Sequence, residues 1–252
     1  LLITGKLTNA PSSESLSGSL KNVLNKGGAP LIRKGVNYAM RMLGKQFVTG
    51  QTIEEALKNG KEREKLGYRF SFDMLGEAAF TQADADRYYQ DYLTAIHAIG
   101  KDAADQGVYE GNGISVKLSA IHPRYFRAQH ERVMTELLPK LKQLFLLAKQ
   151  YNIGLNIDAE EANRLELSLD LMEALVSDPD LAGYNGIGFV VQAYQKRCPF
   201  VIDYLVDLAR RNNQKLMIRL VKGAYWDSEI KWAQLDGLNG YPVYTRKVHT
   251  DI

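Results

Sequence analysis

The chain has 252 residues, 45% of them hydrophobic and 24% charged, with a net charge of +3. That is the composition of an ordinary globular protein, long enough for one large α/β domain or one domain with a helical appendage. The small net charge gives no ground for a nucleic-acid partner, and no apolar run nears the ~20 residues of a membrane span.

A single cysteine, Cys198, excludes an internal disulfide and a cysteine metal cluster. No signal peptide is visible, so a reducing, cytoplasmic setting is expected. The chain opens "LLITGKL" without an initiator methionine and stops at "KVHTDI", which reads as a piece cut from something longer.

In chain order, residues 1–67 read as a helical arm. "SSESLSGSLKNVLNKGG" has a serine-rich start and a glycine stop. "APLIRKGVNYAMRMLGKQF" carries Leu31, Ile32, Val36, Ala39, Met40 and Leu43 at helical spacing, with Arg33, Lys34 and Arg41 elsewhere. That basic side fits a solvated face on a packed helix, or one touching a membrane surface or nucleic acid. "TIEEALKNGKEREKLG" opens with a capping box, Thr52 and Glu55, and ends at Gly67.

From residue 68 the pattern alternates strand and helix. Strands are predicted at "YRFSFDML" (68–75), "GISVKLSA" (113–120), "IGLNIDAE" (153–160), "GIGFVVQAY" (186–194) and "KLMIRLVKG" (215–223). Amphipathic runs separate them: Tyr88, Tyr92, Ile96 and Ile99; Val133, Leu137, Leu141, Leu144 and Phe145; Leu165, Leu169 and Met172. A fourth helix starts at Pro199, in proline's favoured first turn. Such repetition means parallel strands joined by right-handed crossovers, in a doubly wound sheet or a (βα)8 barrel.

Side-chain parity separates the two, because residues two apart share a strand face. Ser71 and Asp73 oppose Phe70, Phe72 and Met74; Ser115, Lys117 and Ser119 oppose Val116 and Leu118. Asn156 and Asp158 oppose Leu155 and Ile157, Gln192 and Tyr194 oppose Val191 and Ala193, and Arg219 opposes Ile218 and Leu220. Central strands of a doubly wound sheet are apolar on both faces, whereas a barrel interior turns polar towards its C-terminal mouth. The pattern favours the barrel and places Asp73, Lys117, Asp158, Gln192 and Arg219 around one mouth.

Taken singly, these residues admit plainer readings. Asp158 and Arg219 could simply neutralise each other as a structural ion pair. Lys117 could be a Schiff-base lysine, its pKa depressed by burial and by Arg219. The four histidines, His97, His122, His130 and His249, show no ligand spacing, so no metal is expected. The glycines of "GYNGIGF" (183–189) precede a strand, unlike a dinucleotide fingerprint. Gly223 follows a strand and lets backbone approach a ligand, and Tyr225 and Trp226 offer flat stacking surfaces or a capped core.

Across "DMLGEAA" (73–79), "KLSAIHPRY" (117–125), "NIDAEEANRLE" (156–166), "GFVVQAYQKRCP" (188–199) and "MIRLVKGAYWDSEIK" (217–231), the chain closely resembles the proline dehydrogenase domain of the bacterial proline utilization A family. These are bifunctional flavoproteins, and the resemblance runs the length of the chain. It implies a (βα)8 barrel over residues 68–252, C-terminally incomplete with five of its units. The implied activity is FAD-dependent oxidation of L-proline to 1-pyrroline-5-carboxylate, with electrons passed to a membrane quinone.

By that resemblance Arg219 lies beside the flavin ring, Asp158 and Gln192 hydrogen-bond near it, and Val221, Gly223, Ala224, Tyr225 and Trp226 line it. Thr245 reaches the cofactor chain. Lys117 meets the proline carboxylate with Asp73 close by, Tyr225 packs on the proline ring, and Glu77 pairs with an arginine to gate the pocket. The resemblance also implies a cytoplasmic protein with peripheral association of the parent protein to the inner membrane. Its DNA-binding and aldehyde dehydrogenase activities are expected only in parent segments absent from this chain. Two other readings stay open: a Schiff-base barrel enzyme using Lys117, and a truncated, non-catalytic barrel acting as a scaffold.

Overall fold

Parity in the sequence demands strands with one polar and one apolar face, and the fold supplies them. The computed structural model describes residues 33–37, 40, 44, 48–74 and 78–252. Residues 1–59 and 60–252 form two compact units.

In the first unit, residues 33–37 are helical; the remainder of the two helices expected before residue 48 lies almost wholly outside the described residues. The Thr52 hydroxyl accepts the Glu55 N–H at 3.2 Å and starts helix α1 (Ile53–Glu64). Glu55 returns its carboxylate to the Gln51 N–H at 2.9 Å, so the expected capping box closes one residue early.

In the second unit, β1 (Ser71–Asp73), β2 (Gly113–Val116), β3 (Leu155–Ile157), β4 (Ile187–Gln192) and β5 (Met217–Val221) pair in parallel in the order β1-β2-β3-β4-β5. Neighbours in the sheet are neighbours in the chain, so right-handed crossovers put every connecting helix on one face. A doubly wound sheet would reverse its strand order instead. Arg219 on β5 donates to Ser71 Oγ on β1 at 3.2 Å. In a flat sheet four spacings of ~4.8 Å would hold those strands about 19 Å apart, beyond an arginine's reach. The sheet therefore curls, polar face inward, as the first five units of a (βα)8 barrel do.

The helices cover the outer face of β1 to β4, while Ile218 and Leu220 on the outward side of β5 stay exposed. These helices are α2 (Gln82–Ala103), α4 (His130–Gln150), α5 (Leu165–Val176) and α6 (Cys198–Arg211), the last with proline in its first turn. Ile96 and Ile99 of α2, Leu137 and Leu141 of α4 and Leu171 of α5 are fully buried, as are Ile114, Val116, Leu155 and Ile157 on the outward strand faces. Each strand lies inside its predicted run and is shorter. The second ends early because Lys117 becomes the N-cap of a short helix, α3 (Leu118–Ile121). Helix α7 (Trp226–Leu235) follows β5, and α8 (Lys247–Asp251) ends the chain.

Gly100, on the buried face of α2, tests how tightly the helices pack. A Cβ there would fall 2.1 Å from Tyr151 Cγ and 2.6 Å from its Cβ. Tyr151 cannot easily yield, since its hydroxyl hydrogen-bonds His97 Nδ1 at 2.9 Å. Alanine is worth about 1 kcal/mol over glycine in a helix, but overpacking costs roughly 1–3 kcal/mol. Gly100→Ala is expected to lose about 1 kcal/mol net, read as a fall in Tm of roughly 2–4 °C. A rise in Tm would show that the Tyr151 side chain moves freely.

Candidate active site

At the C-terminal ends of the strands the inward residues form a cup of charges. Lys117 Nζ lies 2.6 Å from Asp73 Oδ1 and 3.4 Å from Asp158 Oδ2. Arg219 Nη2 lies 2.5 Å from Asp158 Oδ1, and its Nη1 reaches Ser71 Oγ, which in turn lies 3.2 Å from Ser115 Oγ. Two cations and two carboxylates thus share one cluster, and Asp158, with a side chain only 10% exposed, sits at its centre.

The backbone that carries Lys117 is pinned from outside, for its N–H donates to the buried Tyr92 hydroxyl of α2 at 3.1 Å. Burial alone would lower the Lys117 pKa, but the hydrogen bond and charge of Asp73, with the charge of Asp158, outweigh it and raise the value. The amine is thereby held protonated, the opposite of what a Schiff-base nucleophile needs, so the depressed pKa expected on that reading is not found. Asp158 does not gain equally from the pairing. Burial and the facing charge of Asp73 push its pKa up, against the pull of Lys117 and Arg219.

A second layer stands above the cup. Gln192, at the end of β4, donates from Nε2 to the Glu160 carbonyl at 2.8 Å and accepts the Ala224 N–H on Oε1 at 3.1 Å. It ties the loop after β3 to the loop after β5. In the latter, Gly223 has φ 131°, and a Cβ on it would fall 2.3 Å from the Tyr194 ring. Glycine is thus required by an internal contact with Tyr194, besides whatever approach it gives a ligand. The Tyr194 hydroxyl accepts the Tyr225 N–H at 3.3 Å. Trp226, 42% exposed, donates from Nε1 to the Tyr244 carbonyl at 2.9 Å, which sets the exposed Thr245 one residue beyond that contact.

The structure therefore brings Asp73, Lys117, Asp158 and Arg219 into direct contact and sets Gly223, Ala224 and Tyr225 on one adjacent loop, between Val221 at the end of β5 and Trp226 at the start of α7. Glu77 lies outside the described residues. Glu160 is absent from the sequence-based site: it accepts the Ser119 N–H at 3.0 Å and pairs with Arg164 at 2.5 Å, bracing the loops after β2 and β3. Its only signal was its place two residues after Asp158. Tyr194 shared the parity of Gln192 without any sign of its contact with Gly223.

A carboxyl whose folded pKa is raised contributes stability that is fully present below its unfolded pKa and lost as pH rises through its folded one. Ionising Asp158 therefore works against the fold. In a carboxyl-carbon NMR titration Asp158 should titrate above the ordinary ~3.9 of an aspartate, and Lys117→Met should move it higher still. A downward move in that variant would contradict the shared cluster.

Residues 56–252 match a family model described as proline dehydrogenase, and residues 1–47 match one described as the DNA-binding domain of proline dehydrogenase. The second match corrects the expectation that the DNA-binding segment lies outside this chain. The bifunctional protein PutA of Klebsiella aerogenes is 67% identical over 252 residues, all of this chain and 19% of the relative, so the chain spans about a fifth of that protein's length. A crystal structure of a proline utilization A variant from Bradyrhizobium japonicum is 53% identical with a TM-score of 0.78, over 91% of this chain and 23% of the other. Proline utilization A of Bdellovibrio bacteriovorus, inactivated by N-propargylglycine, is 27% identical with a TM-score of 0.82, over 97% and 26% of the two chains. With its family model covering the whole curled sheet and its charged cup, the chain belongs to the proline dehydrogenase family.

Proposed function

We propose that this chain forms the proline- and flavin-binding half of an FAD-dependent proline dehydrogenase. The observation that carries the reading is the cup itself: Lys117, Asp73, Asp158 and Arg219 clustered beside an aromatic loop, in a chain of this family.

The donor set suits the two ligands. An ammonium has three N–H donors, and Lys117 uses two on Asp73 and Asp158, leaving one for the carboxylate of L-proline. Arg219, its side chain 36% exposed, offers a planar fork of donors to an electron-rich ring. Trp226 and Tyr225 add flat surface, Asp158 and Gln192 polar contacts near the ring, and Val221, Gly223 and Ala224 a close backbone wall. Thr245, exposed one residue past the Tyr244 carbonyl, would meet the cofactor's chain.

When bound, FAD supplies the hydride acceptor at N5 for proline C5 and a route for electrons to a membrane quinone. The protein's own work is positional. Lys117 grips the carboxylate, Tyr225 packs on the ring, and Asp73 keeps the ammonium charged and aimed. Inside a water-excluded cup the Lys117–carboxylate attraction strengthens. On this reading the parent protein works in the cytoplasm, with peripheral contact to the inner membrane. Among the described residues no helix is long and apolar enough to cross one.

Anaerobic absorbance scans of the purified, FAD-loaded protein test this directly: L-proline should bleach the oxidised flavin bands. Bands that stay unchanged would defeat the reading. Lys117→Ala should raise KM for proline by about 10- to 100-fold, the worth of one charged hydrogen bond. Arg219→Met should weaken FAD retention or lower the flavin potential; unchanged values for both would remove Arg219 from the ring.

A further inference from the structure

Glu229 is a buried carboxyl that the proposed chemistry does not use. It lies on the first turn of α7, is 5% exposed, and its own N–H bonds the Tyr225 carbonyl at 2.9 Å. From there its Oε1 accepts the Ala162 N–H at 2.6 Å. Ala162 is held on its other side too, since Arg197 Nη2 donates to the Ala162 carbonyl at 2.8 Å. An anion on the N–H and a cation on the C=O thus clamp one residue, four positions after Asp158.

That clamp joins two parts of the site. Ala162 begins the turn that follows the loop carrying Asp158 and Glu160, and Glu229 rides on the helix that begins at Trp226. Burying a carboxyl beside another carboxyl is costly, and Glu161 and Tyr194 face it along with Arg197. A hydrogen bond to a charged acceptor is among the strong ones, and losing its acceptor leaves a buried N–H unsatisfied.

We propose that Glu229 is a positioning residue that locks the loop bearing Asp158 to the loop of residues 221–226, setting the separation across which the flavin is held. The inference rests on the flavin reading above for its purpose, but the lock is a property of this chain alone. Gln192 makes a parallel strut between the same loops, one layer further in.

Two substitutions remove the same hydrogen bond from opposite ends. Glu229→Ala removes the acceptor. Ala162→Pro removes the donor at the first position of a helical turn, where proline is tolerated. The preceding Glu161, at φ −61° and ψ 154°, already has the backbone that proline demands of its neighbour. Glu229→Gln keeps an acceptor.

The first readout needs no cofactor: the Asp158 carboxyl titration in apo protein. Glu229→Ala and Ala162→Pro should each displace it in the same direction, while Glu229→Gln leaves it near the wild-type value. The second is FAD affinity by fluorescence titration, expected to weaken about tenfold in each single variant and no further in the double variant, because one bond cannot be lost twice. An unmoved Asp158 titration, or effects that multiply to about a hundredfold in the double variant, overturns the lock. Wild-type protein that fails to bind FAD while the apo titrations move as expected overturns the flavin reading and leaves the lock standing.

Discussion

A carboxylate buried as deeply as Asp158 cannot remain charged without partners, and the rest of the structure follows from where its partners stand. Lys117 stands just past the end of β2 and Arg219 on β5, so satisfying one side chain just past the end of β3 ties together strands that are not all neighbours. Arg219 then reaches on to Ser71 on β1, a contact that only a curled sheet allows. Curvature and charge pairing thus sustain each other. Flattening the sheet would part Arg219 from Ser71 and leave the buried Asp158 without one of its two cations.

The rim of the cup is held by neutral groups. Gln192 spends both ends of its amide bridging two loops, and Tyr194 fills the space that Gly223 vacates while accepting the N–H of Tyr225. Gln192 ends β4 on the face that also carries the charges, and Tyr194 stands in the turn two residues beyond. The same parity that points Asp158 and Arg219 inward therefore supplies the struts that hold the loop above them. A polar face running past the end of a strand serves as both site and scaffold.

That shared parity is why so much was legible before any coordinates. Alternation of strand and helix patterns located the five strands, and period-two parity chose the barrel over the doubly wound sheet and collected Asp73, Lys117, Asp158, Gln192 and Arg219 at one mouth. Other features depend on approach in space, which no local period encodes. Nothing in "WDSE" marks Glu229 as a buried acceptor, since acidic residues in a helix's first turn are ordinary. Likewise the early end of β2 at Lys117 required knowing that Glu160 would bind the Ser119 N–H and stabilise a helical turn there. The depressed pKa that the alternative of an amine nucleophile at Lys117 would need is not found for a related reason: a sequence shows that a lysine and an arginine share a face, but not that two carboxylates stand closer.

The balance of charge in the cup has a chemical consequence. Lys117 is held protonated by its neighbours, and a guanidinium keeps its charge throughout the working range of pH. The attraction for a carboxylate ligand therefore does not switch with pH on the cationic side. Asp158 is displaced the other way, towards its neutral form, by burial and by Asp73. Any anion brought to Lys117 adds a further negative charge beside Asp158 and favours that neutral form more. Ligand binding and the ionisation of Asp158 are thus coupled with a fixed sign. A carboxylate ligand should raise the Asp158 pKa, and by reciprocity it should bind more tightly where Asp158 is protonated.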